Sequence, residues 1–223
     1  MTAPLKIAIA GLGTVGMGTI EILRVNSQVL ARRAQRPFEV VAVSARDRGR
    51  DRGADISNFC WYDDPVKMAT EVDCDVVLEL IGGSGGIAKS VCENAIAKGR
   101  HIVTANKALL ALHGTELARA SESAGVAFCY EAAVAGGIPV IKTLRESLSG
   151  NSVSRIQGIL NGTCNFILSS MRTSGSAFEE VLAEAQKLGY AESEPSLDID
   201  GIDAAHKLAI LSSIAFGTEL DFE

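Results

Sequence analysis

Asp203 and Lys207 stand four residues apart in Gly201-Ile202-Asp203-Ala204-Ala205-His206-Lys207, so on a helix they share one face. An ammonium group held beside a carboxylate can give a proton to an oxygen that is gaining negative charge, which is general-acid chemistry. The plainer reading is a surface ion pair worth about 0.3–0.5 kcal/mol. Three features favour chemistry at this spacing. The rest of the helix is apolar (Leu208, Ala209, Ile210, Leu211, Ile214), an acid-rich loop leads into it, and Gly201 leaves its N-terminus open to a ligand. His101, His113 and His206 lie in unrelated contexts and are read neither as metal ligands nor as catalytic bases.

A second chemical motif opens the chain. Gly11-Leu12-Gly13-Thr14-Val15-Gly16 follows the apolar run from Leu5 to Ala10 and precedes apolar residues at helical spacing. In that context the first glycine permits a tight turn and the second lets the backbone approach a pyrophosphate. The third lets helix and strand pack closely, and the helix N-terminus offers free amides. A dinucleotide fits this loop. The second strand ends in Val43-Ser44-Ala45-Arg46, without the acid that usually holds an NAD ribose, so Ser44 and Arg46 point to the 2′-phosphate of NADP(H), with NAD as the alternative. Arg46 also fits an ordinary exposed loop. Thr104-Ala105-Asn106-Lys107 follows another strand, and strand ends of this kind face the crevice where ligands bind.

The elements that must hold these residues alternate. Strands are expected over Leu5–Ala10, Phe38–Val43, Val76–Leu80, His101–Val103 and Val126–Tyr130. Helices are expected after the glycine loop, over Ile87–Lys98 with Gly99 as the stop, and over Thr115–Ser123. This is the pattern of an α/β fold: a Rossmann-type, doubly wound parallel sheet, assigned to residues 1–131. The small-residue loop Ala132 to Pro139 then marks a boundary. Beyond it come helix Val140–Leu148, strand Val153–Leu160, helices Cys164–Met171 and Ala177–Leu188, and a last helix from Ile202 to Phe216. Residues 132–223 therefore read as an incomplete α+β substrate and dimerisation domain.

Bulk properties exclude several classes. A net charge of −6 over 223 residues argues against nucleic acid as partner, and Arg46, Arg48, Arg50 and Arg52 are interleaved with Asp47 and Asp51 in what reads as a solvated loop. Five scattered cysteines without a CxxC pair indicate reduced thiols. No apolar run reaches membrane-spanning length, so a soluble, cytoplasmic protein with no membrane partner is expected.

Taken together, the glycine loop at 11–16, TANK at 104–107, EAAVAGGIP at 131–139, GILNGTCNFIL at 158–168 and LGYAESEPSLDIDGIDAAHKL at 188–208 resemble homoserine dehydrogenase. The resemblance runs from residue 11 to about 217, and its last two motifs are quite specific. It implies reversible, nicotinamide-dependent reduction of L-aspartate 4-semialdehyde to L-homoserine in threonine, methionine and isoleucine synthesis. It implies that Lys207 is the proton donor, that Asp203 binds substrate beside it, and that Glu192 holds the substrate's amino end. Lys107 would lie near nicotinamide and substrate. Gly11, Leu12, Gly13, Thr14, Val15, Gly16, Thr104 and Gly189 would join Ser44, Arg46 and Lys107 around the cofactor. A sodium ion would sit at Glu131, Val134, Gly136 and Ile138, mostly on backbone oxygens, and the enzyme would be a homodimer or larger homo-oligomer. Two other readings are another Rossmann dehydrogenase of a small carbonyl or amino-acid substrate, and a cofactor-binding fragment without turnover. Members of this family continue well past the point where the sequence stops at Glu223. The expectation is therefore a chain less stable than its longer relatives, self-associating through residues 132–223 and turning over little.

Overall fold

The computed structural model describes residues 2–191 and 195–222, and the chain divides into two units, Met1–Gly137 and Ile138–Glu223. In the first, strands β1 (Leu5–Ala10), β2 (Phe38–Ser44), β3 (Cys60–Tyr62), β4 (Val76–Glu79), β5 (His101–Thr104) and β6 (Phe128–Cys129) form one sheet. Their order is β3-β2-β1-β4-β5-β6 and every pairing is parallel. All six carboxyl ends thus face one edge, and the order reverses between β1 and β4, where such sheets open a crevice.

Alternation along the strands sends successive side chains to opposite faces. Ile7, Ile9, Val43, Val76 and Leu78 form a core with Leu12 and Ile20, the latter from helix α1 (Thr14–Val25). On the opposite face β1 and β2 carry Ala8, Ala10 and Ala42, all fully buried. Those small side chains leave room for helix α3 (Pro65–Glu71), which packs on both strands and buries Met68 and Ala69 completely. Helices α4 (Ile87–Ala97) and α5 (Lys107–Ala124) extend this layer through Val91, Ala95, Leu109 and Leu117.

Four local differences from expectation have physical causes. The helical stretch after the glycine loop is two helices, because Asn26 interrupts it before α2 (Ser27–Ala34). β3 and α3 were not anticipated, although Asp64-Pro65 is a helix start: the Asp64 carboxylate accepts from Val66 N and Lys67 N, and proline suits the first turn. Helix α5 begins at Lys107, eight residues earlier than expected, because the Asn106 side chain caps it by accepting from Leu109 N at 3.1 Å. The first unit also ends later than residue 131. A 3₁₀ turn, Glu131–Ala133, packs against β5, and Ala133 and Val134 are buried.

The second unit is helical among the described residues: α6 (Val140–Lys142) continuing into a π-turn (Thr143–Ser147), α7 (Gly162–Ser174), α8 (Phe178–Lys187), α9 (Ser196–Ile199) and α10 (Ile202–Phe216). Helices α7 and α8 pack around Ile167, Val181 and Ala185, with Ala191 joining them. Val153–Leu160, expected as a strand, carries no regular structure. A strand exists only through hydrogen bonds to a neighbour, and no other described segment of this unit offers an edge.

The glycine loop is constrained by close approach. A Cβ on Gly16 would stand 2.0 Å from Gly11 O, and one on Gly11, whose φ is +106°, would stand 2.4 Å from Leu80 O, whereas Gly13 faces open space. Gly16→Ala is therefore expected to cost about 1–3 kcal/mol. Gly13→Ser, which keeps a good N-cap, is expected to stay within about 0.5 kcal/mol of the parent. Thermal melts of the two variants check this contrast, and a Gly16→Ala protein that melts like the parent would refute it.

Candidate functional sites

The first site lies at the carboxyl ends of β1 and β2. Gly13 caps α1 without a side-chain bond, and Met17 N is the first amide to bond back, to Gly13 O at 2.9 Å. The amides of Thr14, Val15 and Gly16 therefore have no intrahelical acceptor, and the helix dipole adds positive potential there. Gly11, Leu12 and Gly13 line a cleft of about 400 Å³, together with Ser44 and Arg46. Ser44 is only 2% exposed, and its carbonyl accepts from Gly11 N at 2.9 Å, so it forms the floor while Arg46 is exposed at the rim.

Arg50 and Arg52 line the same cleft, although the run from Arg46 to Arg52 has the composition of a solvated loop. The interleaved aspartates explain how the loop folds. Asp47 accepts from Gly49 N at 2.8 Å and Asp51 from Gly53 N at 2.9 Å, two short turns that fold the loop. Arg52 donates to the carbonyls of Asp47 and Arg50 and lies 5.6 Å from the centre of the Trp61 ring; its buried Nε has no partner among the described residues. The cleft thus combines backbone amides with three guanidinium groups, a fit for a molecule with several phosphates.

Behind the cleft lies a buried polar network. Glu79 ends β4 with no exposed surface. Its Oε1 accepts from Ile81 N at 2.8 Å and Gly82 N at 3.3 Å, and its Oε2 from Thr104 Oγ1 at 2.7 Å. Thr104 Oγ1 in turn accepts from Asn106 N at 3.0 Å, and Asn106 Nδ2 donates to Gly83 O at 2.7 Å. The Thr104 hydroxyl is spent inside the protein, and the residue is buried. Lys107 follows directly as the first residue of α5.

The second site belongs to the second unit. Asn161, Thr163, Gly189, Tyr190, Asp198, Asp203 and Lys207 line a pocket of about 590 Å³. Lys207 Nζ donates to Asp203 Oδ2 at 2.7 Å and to Leu160 O at 2.8 Å. Both side chains are mostly buried, 19% exposed for Lys207 and 8% for Asp203, so this is no solvated surface pair. An ammonium has three N–H donors, and among the described residues two of them find acceptors. Asn161 Nδ2 donates to Asp198 Oδ1 at 2.8 Å and Asp203 Oδ2 at 2.9 Å. Thr163 Oγ1 donates to Tyr190 O at 2.8 Å, and the Tyr190 ring rests 4.9 Å from that of Phe166. Burial, and then the charges of Asp198 and Asp203, push the Cys164 thiol up; it donates to Asp198 O at 3.0 Å. Glu192 lies outside the described residues.

The structure brings Asp203 and Lys207 into one pocket, as their spacing predicts, and adds Gly189, which the resemblance assigned to the cofactor; Asn161, Asp198, Arg50, Arg52 and Glu79 went unread in the sequence. Glu79 had a signal: a lone carboxylate in the apolar run Val76-Val77-Leu78-Glu79-Leu80 must be paired or functional if that strand is buried. Gly136 and Ile138 are exposed, Val134 is buried, and Glu131 opens the 3₁₀ turn. No group of three or more His, Cys, Asp or Glu among the described residues is placed to hold a metal, so a cation there would depend on carbonyl oxygens.

Removing the Glu79 side chain would orphan two amides and a hydroxyl. Glu79→Ala is expected to lose roughly 2–4 kcal/mol of stability, and Glu79→Gln, which keeps one acceptor oxygen, less. Denaturant midpoints compare them; equal stability of parent and alanine variant would mean that the network carries no weight.

Comparison with known proteins agrees across both units. The family model described as "Homoserine dehydrogenase, NAD binding domain" matches residues 11–131, and that described as "Homoserine dehydrogenase" matches residues 139–223. The homoserine dehydrogenase of Pseudomonas aeruginosa is 51% identical over 222 residues, which are 99% of this chain and 50% of that protein. That of Neisseria gonorrhoeae is 49% identical over 98% of this chain and 50% of its own length. The chain thus spans about half the length of the curated relatives it matches. Among solved structures, a homoserine dehydrogenase from Thiobacillus denitrificans superposes with a TM-score of 0.91 at 48% identity, covering 98% of this chain and 50% of that one. A hyperthermophilic archaeal homoserine dehydrogenase in complex with NADPH gives a TM-score of 0.83 at 26% identity, covering 97% of this chain and 70% of that one.

Proposed function

This chain belongs to the homoserine dehydrogenase family, and we propose that it supplies the cofactor-binding and substrate-binding residues for the reversible, NADP(H)-dependent reduction of L-aspartate 4-semialdehyde to L-homoserine. The observation that carries the proposal is the largely buried Lys207–Asp203 pair, in a pocket that also holds Asp198. Such a pocket suits a substrate with a positive amino group at one end and an oxygen that gains charge at the other.

The amides of Thr14, Val15 and Gly16, above Gly11, Leu12 and Gly13, hold the pyrophosphate, and the open space over Gly13 leaves room for it. Ser44 and Arg46 take the 2′-phosphate, with Arg50 and Arg52 beside them. Thr104, Lys107 and Gly189 follow from the family resemblance. When bound, the nicotinamide supplies hydride to the aldehyde carbon. Lys207 gives a proton to the oxygen as it becomes an alkoxide and recovers one from solvent; in the oxidative direction it takes the alcohol's proton. Asp203 orients Lys207, while Asp198 and Glu192 receive the substrate ammonium.

Sodium belongs to the same proposal, on the backbone oxygens of Glu131, Val134, Gly136 and Ile138. The Glu131 carbonyl accepts from Val134 N at 3.4 Å and Ala135 N at 3.5 Å, and the Ile138 carbonyl from Val140 N at 2.8 Å; carbonyl oxygens of this kind are the donors a hard cation prefers. Domains at 1–131 and 132–223, a homodimer formed through the second, and a cytoplasmic biosynthetic role complete the reading. No described helix is long and apolar enough to cross a membrane.

Two measurements test it. Protein given L-homoserine and NADP⁺ is expected to raise nicotinamide absorbance, and Lys207→Ala to slow this by about 10²–10⁴-fold with cofactor affinity nearly intact; an alanine variant at parental rate would remove Lys207 from the chemistry. NADPH is expected to bind more tightly than NADH, and Arg46→Ala to narrow the gap by the ~1.5–3 kcal/mol of a charged hydrogen bond. Tighter NADH binding, or an unchanged ratio in the variant, would overturn the cofactor assignment.

A further inference from the structure

Asn161 occupies the last position before α7 and is 8% exposed. Its side chain is fully committed. Oδ1 accepts from Cys164 N at 2.7 Å and so caps α7, while the amide group donates one proton to Asp198 Oδ1 at 2.8 Å and the other to Asp203 Oδ2 at 2.9 Å. Asp203 Oδ2 is the same oxygen that accepts from Lys207 at 2.7 Å, and the preceding residue, Leu160, gives its carbonyl to Lys207 at 2.8 Å. Two consecutive residues therefore grip both members of the Asp203–Lys207 pair, one through a side chain and one through the backbone.

The choice of an amide matters electrostatically. Asp198 and Asp203 are like charges drawn into one pocket, and something must hold them there. A cation at position 161 would do so by neutralising them and would compete with a substrate ammonium. A neutral amide donates to both and leaves their negative charge for the ligand. Capping alone does not explain this residue, because Asn, Asp and Ser cap helices about equally well.

We propose that Asn161 is a positioning residue, which fixes Asp198 and Asp203 against the N-terminus of α7 and thereby sets the direction in which Lys207 offers its ammonium. The inference rests on the reading of Lys207 as the proton donor.

Asn161→Ser and Asn161→Asp provide the test, since both keep the cap and both lose the amide donors, the second also adding a carboxylate. Thermal melts establish that each variant folds, and the serine variant is the control if the aspartate variant does not. With homoserine and NADP⁺, kcat is expected to fall in the order Asn, Ser, Asp, by about 10–100-fold for Asp, while KM for NADP⁺ stays put. A residue that only caps the helix would leave kcat unchanged in both variants, and that result overturns the proposal. NMR of isotope-labelled lysine, with Lys207 assigned through Lys207→Arg, reads the site without turnover. Among the described residues its ammonium donates to Asp203 on α10 and to the Leu160 carbonyl. At one fixed pH the side-chain nitrogen signal of Lys207 is expected to move in both variants, because Asp203 loses the amide that holds it. An unmoved signal in both would also overturn the proposal. Absence of homoserine turnover in the parent, with the Lys207 signal still displaced in the variants, would sink the functional reading and leave the positioning role standing.

Discussion

A carboxylate without access to water governs the edge of the sheet. Taking an ion of this size out of water costs several kcal/mol even after relaxation, and only well-aligned charge-assisted hydrogen bonds offset that. Glu79 meets the cost with two loop amides and one hydroxyl, and this dictates where three chain segments go. The loop after β4 must curl back to present Ile81 N and Gly82 N. The end of β5 must bring Thr104 alongside, and Asn106 closes the circuit through Gly83 while starting α5. Leu80, at the root of the first loop, bonds back to Ala10 O at 2.7 Å and crowds the place where Gly11 would carry a side chain. The glycine loop thus rests on a segment that Glu79 holds, and its amides are aimed by a residue that never touches the cleft.

The second unit handles buried charge differently. Around Asp203 the donors include one ammonium and one amide, and the amide is shared with Asp198. Glu79 sits in a closed circuit that fixes shape, whereas Asp203 sits at the wall of an open pocket. Burial alone does not separate these roles; the identity of the donors and the presence of adjoining space do.

What was legible in the sequence divides along the same line. β1 and α10 match their expected bounds, because β1 is an unbroken apolar run stopped by Gly11 and α10 lies between Gly201 and Gly217. The Asp203–Lys207 pair was legible because its spacing is helical and local. Asn161 and Asp198 were not, since their partners are 42 and 37 positions from Asn161 and no periodicity links residues that meet only in the folded chain. β3 has three residues and α3 seven, too short for a period to rise above noise. Arg50 and Arg52 were hidden by a composition that reads as solvated loop until the Asp47 and Asp51 turns are seen to fold it. Val153–Leu160 has the residue types of a strand, yet residue type cannot supply a neighbouring edge.

The position of β1 inside the sheet also shapes how the chain is born. One of its edges pairs with β2, but the other waits for β4, and the bond from Lys6 N to the Asp75 side chain spans 69 positions. At a synthesis rate of about 5–20 residues per second, that edge stays open for roughly 3–14 s on the ribosome. Meanwhile Ile7 and Ile9 lack the Val76 and Leu78 that later complete their core. An unpaired apolar strand is the feature that recruits other chains. The interval before Val76 to Glu79 emerges is therefore when a nascent chain of this architecture most needs a chaperone.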